Sequence, residues 1–170
     1  VGSEMCIRDS LGLVPAGEWE YSAAKVAGLG DLIAEHVDLE AVMDLAAGAP
    51  DLDVEPWDPA AALESAGWRG HCYHEPPLVG IFAGRAFTFR YPETTEMLTA
   101  AGFRVVDVDP LSDRRLPDDI QGLYLGGGFP QVHATDLETN SELAADVRSH
   151  AEAGMPIVAE CAGLLYLCRQ

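Results

Sequence analysis

The chain has 170 residues, of which 48% are apolar, and its ten Lys and Arg against 28 Asp and Glu give a formal net charge of −18. That length fits one domain, or one incomplete domain with a neighbour's tail, and the apolar share can fill an ordinary core. The charge excludes a nucleic-acid groove, which needs clustered cations, and no apolar run reaches the roughly 18 residues of a membrane span; neither nucleic acid nor membrane is expected as a partner, and a cytoplasmic location is.

The first ten residues, VGSEMCIRDS, lead into no periodic pattern and read as an artefactual tail (residues 1–10) outside the fold. LGLVPAGE from Leu11 reads as a short buried strand running into a Pro-Gly turn. From Ala23 to Ala47, Val26, Leu29, Ile33, Val37, Val42 and Leu45 recur at near-helical spacing, which predicts one helix and a shorter one after Asp38. Residues 49–77 carry several prolines and many carboxylates without periodicity, the composition of a linker, so a domain boundary is expected there.

From residue 78 onward, strand and helix patterns alternate. LVGIF, RVVDV, GLYLG and PIVAE read as strands, with helices from about Glu93 to Ala101 and from about Glu138 to Glu152. Such alternation predicts an α/β fold, a mostly parallel sheet with helices on both faces. Gly102 and Gly154 sit just past the two helices, where a left-handed residue ends a helix, and Pro156 bars continuation of the second.

Four cysteines, Cys6, Cys72, Cys161 and Cys168, show neither CxxC spacing nor the density of a disulfide scaffold, so free thiols in a reducing compartment are expected. His71, Cys72 and His74 form one ligand-like cluster without a second at zinc-site spacing, and no metal is expected.

The segment MPIVAECAGLLYL places a short apolar strand directly before Cys161, then Ala162 and Gly163, then an apolar helical run. Small residues let the backbone turn sharply, and the following helix aims free N–H groups at the sulfur, so the pattern reads as a nucleophile elbow. A small buried core cysteine is the competing reading. Gly126, Gly127 and Gly128 follow a predicted strand and should end at the same sheet edge, where open α/β sheets bind ligands. Glycines there permit positive φ and close approach, so their N–H groups can be directed at an oxyanion; alone, the same run reads as a flexible turn. A cysteine nucleophile also needs a base, but His36, His71 and His74 precede the sheet, His133 and His150 lie in or beside the helix after the glycines, and none follows Cys161. The expectation is a C-terminally truncated polypeptide whose base is missing.

Three blocks, AFTFRYPET (Ala86 to Thr94), LPDDIQGLYLGGGFPQVHA (Leu116 to Ala134) and AECAGLLYLC (Ala159 to Cys168), together resemble the class I glutamine amidotransferase domain of the cobyrinic or hydrogenobyrinic acid a,c-diamide synthases. The resemblance covers nearly all of the chain from Leu11. It implies the end of an ATP-binding synthetase domain at residues 11–48, a linker at 49–77 and an incomplete, flavodoxin-like amidotransferase domain at 78–170. It also implies that Cys161 attacks the side-chain amide of glutamine, with Gly127, Gly128 and the N–H of Ala162 at the oxyanion, Gly126 beside them, and ammonia passed to the a and c carboxylates of a corrin-ring substrate. ATP and Mg2+ would act in the preceding domain; no GxxxxGK[ST] loop occurs here. Many relatives carry Gly where this chain has Ala162, and the family's His lies beyond Gln170, so the fragment alone is expected to be inactive. A cobyric acid synthase-type enzyme and a non-catalytic or redox module are the alternatives. Phe87, Phe89 and Tyr91 alternate like the face of a strand and are expected in the core, as is Cys168; a ligand role is the alternative for that loop, since its place after the first strand sets it at the functional edge of the sheet.

Overall fold

Asp38 ends one helix pattern and starts the next because its carboxylate can accept from a free amide of the first turn, and it accepts from the N–H of Ala41 at 3.0 Å. The computed structural model describes residues 22–70 and 73–168. The tail, the LGLVPAGE strand, His71 and Cys72 lie outside the described residues. Contacts divide the chain into two units, Val1–Pro56 and Trp57–Gln170.

The first unit contains α1 (Ser22–His36) and α2 (Leu39–Ala47), as the spacing predicts, with Val26, Leu29, Ile33, Val42 and Leu45 all exposed.

In the second unit, the stretch read as linker contains a helix, α3 (Pro59–Ser65). The local cause is an Asp-Pro start: Asp58 accepts from the N–H of Ala60 at 2.8 Å, and Pro59 occupies the first helical position, where no N–H is needed. This helix packs against α4 (Pro92–Ala100), which also begins on a proline. The sheet comprises β1 (Leu78–Phe82), β2 (Arg104–Val108), β3 (Ile120–Leu125) and β4 (Ile157–Ala159). All pairings are parallel, in the order β2-β1-β3-β4, with Leu78 opposite Arg104, and Tyr124 and Leu125 opposite Val158 and Ala159. Val158 is 61% exposed on the β4 edge, whereas β1, paired on both sides, is almost wholly buried.

The region read as one helix from Glu138 to Glu152 is two, α5 (Ala134–Thr139) and α6 (Ser141–Glu152), separated at Asn140. The buried Asn140 amide donates to the carbonyls of Pro110 and Asp113, each at 2.7 Å, and so ties the break to the loop after β2. The Asp146 carboxylate accepts from the N–H of Leu116 at 2.8 Å and holds α6 against the same loop. Gly102 and Gly154 adopt φ of +94° and +90°, and the N–H groups of Phe103 and Met155 reach back to Leu98 and His150 at 3.0 Å, closing α4 and α6 as their glycines predict.

Phe82, Leu123 and Leu125 of the sheet, Phe87, Leu143 and Val147 of α6, and Ala162 of α7 (Ala162–Leu167) form one buried core. Alternation along β3 points Tyr124 away from the face that Leu123 and Leu125 bury. Among the described residues, no helix is long and apolar enough to cross a membrane.

Candidate functional site: a cysteine elbow beside a glycine loop

β4 ends at Ala159 and α7 begins at Ala162, with Glu160 and Cys161 making the turn between them. Cys161 has φ 49° and ψ −113°, and among the described residues it is the one non-glycine with positive φ. An L side chain in that region is strained by about 1–3 kcal/mol, so the surrounding bonds must impose the turn. They are identifiable: the Glu160 N–H donates to the Leu125 carbonyl at 3.0 Å, and the Gly163 N–H lies 3.0 Å from the Gly126 carbonyl and 2.8 Å from that of Glu160. The elbow is thus fastened to the end of β3, and the Cys161 side chain is left exposed rather than packed in the core.

These bonds bring the predicted glycines to the predicted nucleophile, and of the two properties expected of them, positive φ and close approach, the structure shows the second. None of Gly126, Gly127 and Gly128 has positive φ. What they provide is close approach. A Cβ on Gly128 would overlap the Ala86 carbonyl and lie 2.8 Å from Cα of Phe87, and one on Gly127 would lie 2.9 Å from the Phe89 ring. The Phe89 N–H donates to the Gly127 carbonyl at 3.1 Å, and Phe89 stacks edge-on against Phe129 at 5.1 Å. The N–H groups of Gly128 and Ala162 donate to no backbone carbonyl among the described residues. Ala162 itself is buried in the core, and Gly163 backs onto Leu125 so tightly that a Cβ there would meet its Cβ at 2.5 Å.

The AFTFRYPE block is not a strand face. Phe87 is buried as expected, but Phe89 and Tyr91 are 42% and 60% exposed, because the segment is a loop crossing the glycines and then entering α4. Cys168 is likewise exposed at the end of α7, with Sγ 3.2 Å from the Leu164 carbonyl, not in the core. His133 is buried in the 3-10 turn Pro130–His133, and the His150 ring Nδ1 lies 2.9 Å from the Asp146 carbonyl; no hydrogen bond joins Cys161 to a histidine among the described residues. Nor, among them, do three or more His, Cys, Asp or Glu side chains gather to hold a metal ion.

One pair escaped the sequence reading. The Tyr124 hydroxyl donates to Glu160, the residue before the cysteine, at 2.5 Å. Burial, then the Glu160 carboxylate, pushes the Tyr124 hydroxyl up to about 12, and Thr94 and Tyr91 also lie within its reach. The two residues stand 36 apart in sequence, and only the parallel register of β3 with β4 makes them neighbours.

A parallel sheet with a strained cysteine at a strand-to-helix turn, abutting a glycine loop at the carboxyl edge, defines a class I glutamine amidotransferase-like α/β fold. The family model for the CobB/CobQ-like glutamine amidotransferase domain matches residues 79–170, and the chain belongs to that family. It is 49% identical over 160 residues to the hydrogenobyrinate a,c-diamide synthase of Thermobifida fusca, covering 94% of this chain and 34% of that protein. It is 40% identical over 191 residues to the enzyme of the same name in Streptomyces coelicolor, covering 94% of this chain and 38% of that protein. The cobyrinate a,c-diamide synthase of Magnetococcus marinus is 37% identical over 160 residues, which cover 94% of this chain and 33% of the relative. The chain therefore spans about a third of the length of these curated relatives. No solved structure gives a significant match.

Proposed function

We propose that this chain carries the glutaminase nucleophile of an amidotransferase that uses ATP to amidate the a and c carboxylates of cobyrinic or hydrogenobyrinic acid in the cytoplasm. The observation that carries the reading is the strained Cys161 backbone, held by the Gly163 to Gly126 bond. Strain of this kind is maintained where a side chain must be presented, and a core cysteine has no need of it.

In this chemistry the Cys161 sulfur attacks the side-chain amide carbon of glutamine. The C–N bond breaks, the thiol proton leaves on ammonia, and a glutamyl thioester remains until water hydrolyses it to glutamate and restores the thiol. The N–H groups of Gly128 and Ala162, with Gly127 beside them, are suited to the oxyanion, each such donor being worth roughly 3 kcal/mol. Gly126 contributes by holding α7 in place. ATP and magnesium would activate the corrin carboxylates in the parent enzyme; the described residues offer no donor set for the metal, and no step here passes through it.

The test is labelling of the chain with a glutamine-shaped diazo-ketone, read by intact mass, beside Cys161→Ala. A single adduct, lost in the variant, is expected. An adduct that survives the substitution, or none on a chain that is folded by circular dichroism, overturns the assignment.

A further inference from the structure

A nucleophile beside an oxyanion site recognises an amide, but choosing a free amino acid also requires a partner for its charged end. The ammonium of glutamine lies four bonds from the reacting carbon, and its natural partner is an oriented carboxylate close to the elbow. Glu160 meets that description. Its backbone is fixed on both sides, the N–H to Leu125 and the carbonyl to Gly163, so the residue moves with the elbow. Its carboxylate is oriented by Tyr124, whose hydroxyl lies 3.9 Å from the point where a side chain on Gly126 would begin. The carboxylate therefore stands beside the glycine loop.

Tyr124 donates to Glu160, which is exposed, and Thr94 lies within reach of the Tyr124 hydroxyl. A carboxylate accepts about four hydrogen bonds, so one from Tyr124 leaves most of its capacity open. Arg90 and Arg104 pair with Asp107 and Asp119 at 2.7 and 2.6 Å, whereas no ion pair involves Glu160 among the described residues. Glu160 is exposed and immediately precedes Cys161, and an exposed carboxylate there favours a cationic group.

Building on the glutaminase reading, we infer that Glu160 binds the α-ammonium group of the amino-acid substrate and that Tyr124 orients it for this purpose. Glu160 is then a specificity residue and Tyr124 a positioning residue.

Three reagents separate the roles: the free-amine diazo-ketone, its N-acetyl counterpart and iodoacetamide, each scored by its rate at Cys161 in the full chain. Glu160→Gln keeps the shape and the oxygen that accepts from Tyr124 and removes only the charge. It should slow the free-amine reagent roughly 10-fold or more, the worth of one charge-assisted hydrogen bond, and leave the other two within about twofold. Tyr124→Phe should slow the same reagent by a smaller factor. Equal slowing of all three reagents by Glu160→Gln, or of none, overturns the inference and leaves the glutaminase reading standing. If the unmodified chain takes iodoacetamide at Cys161 but reacts with neither diazo-ketone, the glutaminase reading itself fails.

Discussion

Replacing Gly163 with alanine tests whether the elbow is locked to β3. Its ideal Cβ would overlap the Leu125 carbonyl and lie 2.5 Å from the Leu125 Cβ, and Leu125 is wholly buried within the sheet. Neither strand backbone nor core can yield cheaply, and overpacking of this kind costs about 1–3 kcal/mol. If α7 moves away instead, the Gly163 bonds to Gly126 and Glu160 lengthen, at about 1 kcal/mol each. Against this stands a helix-propensity gain of at most about 1 kcal/mol for Ala over Gly. The net expectation by either route is a loss of about 1–2 kcal/mol, or roughly 0.5–1 M in urea midpoint at an m-value of about 2 kcal/mol/M. Intrinsic fluorescence, through the half-buried Trp68 of the same unit, follows the transition. Gly28→Ala in α1 is the control, because nothing lies within 4 Å of its Cβ position; it should leave the Trp68 transition unmoved and add helical ellipticity. A Gly163→Ala midpoint within about 0.2 M of the parent would refute the close approach, and with it the claim that β3 imposes the strained cysteine backbone.

Asn140→Ala should cost about 1–3 kcal/mol in the same urea assay, since the buried Pro110 carbonyl and the part-buried Asp113 carbonyl lose their donor; an Asn140→Asp chain with equal loss would show that donation, not shape, is what Asn140 supplies. Alkaline titration followed at 295 nm should show Tyr124 and Tyr166 ionising late. Burial pushes Tyr166 up to about 12, and burial together with Glu160 does the same to Tyr124. Because both values are raised in the folded chain, the stability they contribute is complete below the ordinary tyrosine value of about 10 and is lost as the pH climbs from there towards 12. Tyrosines that all titrate together near 10 in the folded chain would contradict the packing of both rings.

Much of the architecture is legible in the sequence, because its causes lie within a few residues of one another. Apolar runs separated by helical periods define β1 to β4, Asp-Leu and Tyr-Pro junctions start α2 and α4, and Gly102 and Gly154 end α4 and α6 with the left-handed turns that a Cβ would oppose. The elbow belongs to the same category: a strand, a cysteine and two small residues in succession are enough to suggest it. The sequence also marks the glycine loop as special, and of the two reasons it offers, close approach holds and positive φ does not.

Only the folded chain decides what depends on distant partners. The sheet order β2-β1-β3-β4 is not the chain order, and it is that order which sets Gly126 against Gly163 and Tyr124 against Glu160. Gly128 is required by the backbone at Ala86 and Phe87, and the break at Asn140 by the carbonyls of Pro110 and Asp113. α3 was hidden because its carboxylate-rich and proline-rich surroundings resemble a linker until α4 supplies a surface to pack on. Propensity and capping act over one or two turns of chain, so they can be read along it. Close approach and hydrogen-bond satisfaction act across the space between strands, and that distance is fixed only when the sheet closes.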